Sequence, residues 1–391
     1  MFRPFSWVLR TQGAPVPLLA TFVGSLPIGM LTLGILLLVR QTTESYAVAG
    51  TAAGAFSFGN ALGLLIQGRL IDRHGPARVL LTAATLCPTL LVTLTVTITQ
   101  HAAAPLLITL AAASGATLPA TVTGMRVLCP RLLPDPGDRT AAYALLATLF
   151  QVAMVTGPLL VAALALTGTA TPVLPTAAAL TAAGGLLFAT APAVRAWSPP
   201  STTRPAGRIR SAIRTPVVTL VLGTFGVGAA TGMLTVAVAA ARPALAGLLF
   251  AAFAAGELLG GLVYGGVRWT LPNPVRLIVG QCGMSAAVAL LALSSGTGWP
   301  MPASMLLIGA LTAPAAIAGS ALLDDVVPPG SLGRAYTMLV AAGLIGVAAG
   351  NATAGRLAGD TRTTLLLTAV TLSAVAAWTL ARRRTLVSQT T

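Results

Sequence analysis

The chain alternates apolar runs of about twenty residues or more with short connections that hold most of its charge. An α-helix rises 1.5 Å per residue, so about twenty apolar residues cross the hydrocarbon of a bilayer. Lipid offers no partner to backbone N–H and C=O groups, so a run of that length crosses as a helix. Twelve such runs are present, at approximately residues 15–39, 46–70, 79–99, 103–125, 140–166, 172–193, 216–240, 244–267, 275–295, 302–323, 334–357 and 363–381, here predicted helices 1 to 12. Only 8% of residues are charged and 55% are hydrophobic, where a soluble domain carries about a quarter charged. The pattern predicts an all-α membrane protein.

The chain also repeats itself. Thr21-Phe22 and Gly29-Met30-Leu31-Thr32 recur 203 residues later as Thr224-Phe225 and Gly232-Met233-Leu234-Thr235. Gly63 and Gly68 pair with Gly256 and Gly261, and Tyr143 and Gly157 with Tyr336 and Gly350, now 193 residues apart. The chain therefore reads as two pseudo-symmetric six-helix bundles, residues 1–193 and 216–391, joined by a linker at 194–215. Duplication in so apolar a chain is the mark of a transporter, because two similar bundles that rock against each other open a central site to each side in turn.

The net charge of +15 comes from 23 basic residues, all of them Arg. With the N-terminus inside, the inner segments hold every Arg except Arg40, Arg242, Arg356 and Arg362. Cytoplasmic loops retain positive charge, so both termini are expected in the cytoplasm. The Arg residues of the linker suit anionic lipid headgroups and do not make a nucleic-acid site. Trp7, Trp197, Trp269, Trp299 and Trp378 fall near predicted helix ends and read as interfacial anchors. The first apolar run is too long for a cleavable signal peptide. Arg in place of Lys, with abundant Ala, suggests a high-GC bacterial genome, and the expected location is the bacterial inner membrane.

Enzyme chemistry finds no footing. His74 and His101 lie in loops on opposite sides, and Cys87, Cys129 and Cys282 are scattered without metal-ligand spacing. No phosphate-cradling Gly-rich loop ends in Lys, since there is no Lys. No catalytic residue, metal or cofactor is expected, and ATP-driven transport is set aside.

The strongest local motif is Gly68-Arg-Leu-Ile-Asp72-Arg73-His-Gly75-Pro-Ala-Arg78, between predicted helices 2 and 3. Gly68 would admit a neighbouring helix. Asp72 ends its helix where it can pair with Arg73 or Arg78, and Gly75-Pro76 turns the chain. This motif resembles the loop signature of the major facilitator superfamily, with every signature residue present. The resemblance implies that Asp72 and its Arg partners hold an inner gate shut. The second-half copy, Gly261-Leu-Val-Tyr-Gly265-Gly266-Val-Arg268, has Gly265 where Asp72 would recur. Gly157-Pro158 resembles the core of the superfamily's antiporter signature, with Val161 and Ala162 where further glycines are usual; Pro158 predicts a kink. Leu118-Pro119-Ala120 and Ala142-Tyr143-Ala144-Leu145 look like actinobacterial drug or metabolite efflux members. Ala111 stands where the superfamily often has an Arg four residues before a glycine. Leu146, Phe150 and Gln151 stand on predicted helix 5 where acids are expected.

An ionisable side chain inside a span is costly and marks a pathway or proton relay. Glu257 is the clear case, about 20 Å into predicted helix 8, with no Lys or Arg three or four residues away. It is the candidate proton-coupling residue, and the same carboxylate would also suit a cationic substrate. Asp324 and Asp325 read as solvated helix-end charges. Asn60, Gln151 and Asn351 lie on helices 2, 5 and 11, which line the cavity in the resembled family. Gln281, on helix 9, is set aside as facing lipid or the outer bundle. The equivalent pairs Phe22 with Phe225 and Met30 with Met233 are candidates for an adaptable apolar cavity wall. The reading is a secondary active transporter that exports small, largely apolar organic compounds in exchange for protons, acting as a monomer. An uptake symporter for a sugar, amino acid or other nutrient, and a non-transporting membrane sensor, are the alternatives.

Overall fold

The computed structural model describes residues 13–133, 135–197, 211–294, 301–357 and 359–386. Among the described residues twelve helices are long and apolar enough to span a membrane: α1 (Pro15–Thr43), α2 (Tyr46–His74), α3 (Pro76–Thr99), α4 (Ala104–Leu132), α5 (Pro136–Ala165), α6 (Val173–Thr190), α7 (Ser211–Ala241), α8 (Ala246–Gly266), α9 (Asn273–Leu293), α10 (Met301–Val326), α11 (Pro329–Leu357) and α12 (Thr361–Ala381). No strand occurs among the described residues. Most of the linker, 198–210, and both Trp7 and Trp299 lie outside them.

Several helices overrun their predicted ends: α2 reaches His74, α4 reaches Leu132 and α11 begins at Pro329. α4 is not the single helix the hydropathy suggests. It breaks between Ala116 and Thr121, because Pro119 has no N–H to donate and its ring disfavours helix in the residue before it. The buried Gln67 of α2 satisfies the opened backbone. Its amide donates to the carbonyls of Leu118 (2.8 Å) and Ala116 (3.3 Å) and accepts from Ala120 N (3.1 Å).

Within each half the helices meet through glycines. A Cβ on Gly59 or Gly63 of α2 would strike the backbone of Ala112 or Ala116 on α4; one on Gly256 or Gly260 of α8 would strike Leu306 or Ala310 on α10. The reverse contacts match. Gly115 lies on the backbone of Phe56 and Asn60, and Gly309 on that of Phe253 and Glu257. These equivalences fix the internal register and correct the sequence-based one. The segment Phe56-Ser-Phe-Gly59-Asn60-Ala-Leu-Gly63 superposes on Phe253-Ala-Ala-Gly256-Glu257-Leu-Leu-Gly260, 197 residues on (Phe56 to Phe253) and not 193. Asn60 is thus the counterpart of Glu257, Gly68 of Gly265, and Asp72 of Trp269.

The halves touch chiefly along α2 with α11 and α5 with α8. Both contacts are tightest on the face opposite the linker. Gly50 and Gly54 sit on the α11 backbone at Asn351 and Ala348, Gly355 sits on Tyr46, and Gly247 sits on Pro158 and Ala162. Toward the linker face α5 and α11 expose Tyr143, Ala144, Thr337 and Met338. The two halves are thus sealed against each other at the face opposite the linker.

Candidate functional site

The site grows from the α5–α8 contact. Glu257 lies mid-helix on α8, and the Gln151 side chain of α5 lies beside it. Gln151 Nε2 donates to the Ala254 carbonyl at 3.3 Å. One glutamine therefore ties the first half of the chain to the second at the level of the half-buried acid. A carboxylate only accepts hydrogen bonds, whereas an amide both donates and accepts, so Gln151 can meet Glu257 in either protonation state.

Sequence reasoning named both residues but not their juxtaposition, which brings together positions 106 apart (Gln151 to Glu257). The other cavity candidates fare differently. Asn60 is buried on α2 (7% exposed), at the position Glu257 takes on α8. Asn351 does not line an open cavity. It is fully buried in the closed face, where neither amide atom has a partner. Met30 is sealed inside the first-half core, so it is no cavity wall in this state. Met233 is half-buried with its sulfur 3.9 Å from Thr371 Oγ1 of α12. Phe22 is half-buried and Phe225 exposed. The equivalent pairs therefore do not form one surface.

The charged residues of the loop motif do not meet one another. Asp72, Arg73 and Arg78 are exposed, and none forms an ion pair with another described residue. Gly68 admits no neighbour, since a Cβ there would meet nothing within 4 Å; the close-packing glycines are Gly59 and Gly63. Gly75 is the strict requirement. Its φ is +84°, and a Cβ would come within 2.7 Å of the Trp197 ring, which Arg131 covers from 5.0 Å. Trp197 is thus a packing residue of this turn. In the second half an aromatic stack replaces the acid. Trp269 stacks on Tyr264 at 4.8 Å and donates to the Tyr264 carbonyl at 2.8 Å, and Arg276 donates to the Tyr264 hydroxyl at 3.0 Å.

α5 runs unbroken through Pro158. Gly157-Pro158 packs against Gly29 of α1 and Gly247 of α8, so this pair belongs to the closed face. Asp324 and Asp325 are not merely solvated: they accept from Tyr336 Oη (2.9 Å) and Asn273 Nδ2 (2.9 Å). No cluster of metal-ligating side chains occurs among the described residues.

Twelve spanning helices among the described residues, an internal two-fold repeat, one face sealed by glycines and a half-buried acid at the seam between halves define a membrane transporter. The Major Facilitator Superfamily profile matches residues 18–242, and the chain belongs to that family. Solved structures with the same fold include the nucleoside transporter NupG, as a point variant (TM-score 0.77, 14% identity, covering 94% of this chain and 98% of that one) and unmodified (0.73, 14%, 95% and 99%). A bacterial homologue of the human lysosomal transporter Spinster, inward-facing and unoccupied, is similar at TM-score 0.68 and 17% identity, covering 98% of each chain. No curated protein matches.

Proposed function

We propose that this chain is a proton-coupled exporter of small, largely apolar organic compounds, working by alternating access in a bacterial inner membrane. The linker face, rich in Arg, suits the cytoplasmic side, which makes the glycine-sealed face the outer one. The observation that carries the reading is the placing of Gln151 across the seam, bonded to the Ala254 carbonyl and beside Glu257. Glu257 is the one acid set deep within a span. Opening the opposite face parts α5 from α8, which takes Gln151 away from Glu257 and from the Ala254 carbonyl. Each swing thus changes what surrounds the acid, which is what a carrier that loads a proton on one side and releases it on the other requires. Asp72 with Arg73 and Arg78 would latch the linker face in the other state, alone, because Trp269 holds the matching place in the second half.

A nutrient uptake permease is the second reading, and NupG, a nucleoside transporter of the same fold, favours it. The two separate in a host stripped of its own exporters. Cells carrying wild type, Glu257→Gln or empty vector are compared for accumulation of a compound panel, with and without a protonophore. Lower accumulation with wild type, lost in the variant and with protonophore, supports export. Higher accumulation with wild type reverses the direction and supports uptake.

A further inference from the structure

A cavity of about 230 Å³ lies inside the second half, between α7, α10 and α11, with α9 and α12 behind it. It includes neither Gln151 nor Glu257. Its space comes from glycines used unlike those at the helix crossings. Gly309 and Gly346 are filled by neighbouring backbone, but a Cβ on Gly223 would meet nothing within 4 Å, and one on Gly319 only Leu277 Cδ1 at 4.0 Å.

The lining is apolar with a few oxygens, and no charged side chain contributes. Thr219, Thr224, Thr312 and Thr379 each donate to a carbonyl of their own helix at 2.9 Å. Their protons are committed and their lone pairs remain. Gln281, on α9, differs. It is 2% exposed, and its Oε1 has no hydrogen-bond partner. A buried amide oxygen without a partner is a standing cost that a ligand relieves, and rotation of the amide presents either its oxygen or its nitrogen to a ligand.

We propose that this cavity is a binding site for a small neutral organic molecule, apolar over most of its surface and carrying one hydroxyl or amide group that pairs with Gln281. A charged ligand would lose its hydration with nothing to replace it. A cavity of about 150 Å³ holds benzene, so two fused rings suit this one. The site stands on the second half alone and does not depend on the direction or coupling of transport.

Equilibrium dialysis of radiolabelled 2-naphthol against the purified full chain in detergent tests it, with 2-methoxynaphthalene as the partner that cannot donate. Wild type should bind 2-naphthol one per chain and roughly tenfold more tightly than the ether, the worth of one hydrogen bond. Gln281→Leu should erase that preference. Gly319→Leu should fill the space and abolish saturable binding of both. Both variants are checked for a wild-type unfolding temperature, and the wild-type comparison of the two compounds needs no variant. Equal retention of 2-naphthol by wild type and Gly319→Leu means partition into detergent and overturns the site. A preference for 2-naphthol that survives Gln281→Leu overturns the role given to the amide.

Discussion

Gln151 of the first half donates its side-chain N–H to the Ala254 carbonyl of the second half at 3.3 Å, beside the Glu257 side chain. The bond makes a prediction that is independent of substrate identity. Gln151→Leu keeps the helix and the volume but removes the amide, so Glu257 faces the seam without it. Transport in this variant should fall roughly tenfold, the worth of one lost hydrogen bond, and Glu257→Gln should abolish coupling outright. In the double variant the second change should add little, since residues in contact act together. Initial rates in cells, measured for all three variants, check this.

The closed face rests on glycine. A Cβ on Gly50 would press on the Asn351 carbonyl and lie 2.9 Å from Gly355 Cα, and backbone cannot retreat as a side chain can. Gly50→Leu should therefore wedge α2 from α11 and favour the state open on the opposite face. Maleimide labelling of a cysteine placed at Ala348 should rise several-fold in that variant. Unchanged labelling would mean that the contact is not the seal.

Gln67 holds α4 together where Pro119 breaks it. Gln67→Leu leaves the Leu118 carbonyl and the Ala120 N–H without that partner in a buried place. The expected loss is about 2 kcal/mol, seen as a lower unfolding temperature in detergent, with the helix count unchanged.

Asp360 caps α12. It accepts from Thr363 N at 3.1 Å and from Thr363 Oγ1 at 2.5 Å, and these bonds hold its carboxyl below the usual carboxylate range. The sign follows from the lowered value. The cap's contribution is present above the unfolded-state pKa and is lost as pH falls through the folded one. Asp360→Ala should lower the unfolding temperature near neutral pH, and the gap to wild type should shrink below about pH 4.

The helices were legible because twenty apolar residues in lipid leave the backbone one solution. Glu257 was legible for the same reason, since an acid there stands out against its span. What escaped the sequence depends on residues distant along the chain. The break in α4 lies in an unbroken apolar run, and its remedy, Gln67, stands about fifty residues earlier. The register between halves slipped by four because glycines recur at short intervals along α2 and α8, so one pattern fits two alignments; only the packing of Gly115 and Gly309 separates them. Gln281 was discounted by the usual position of its helix, yet it lines a cavity. Asn351 looked like a cavity residue and is locked in the closed face.

The central claim is that Glu257 couples protons to the swing between the two faces, and a distance measurement tests it without a known substrate. Spin labels at Ala144→Cys on α5 and Thr337→Cys on α11, both exposed toward the linker face, report its opening, with the exposed Cys282 replaced by Ser. Pulsed electron spin resonance in proteoliposomes should show two distance populations whose ratio changes between pH 5 and pH 9. In Glu257→Gln the ratio should not respond to pH. A pH response that persists in Glu257→Gln would contradict the account and place the proton on another group.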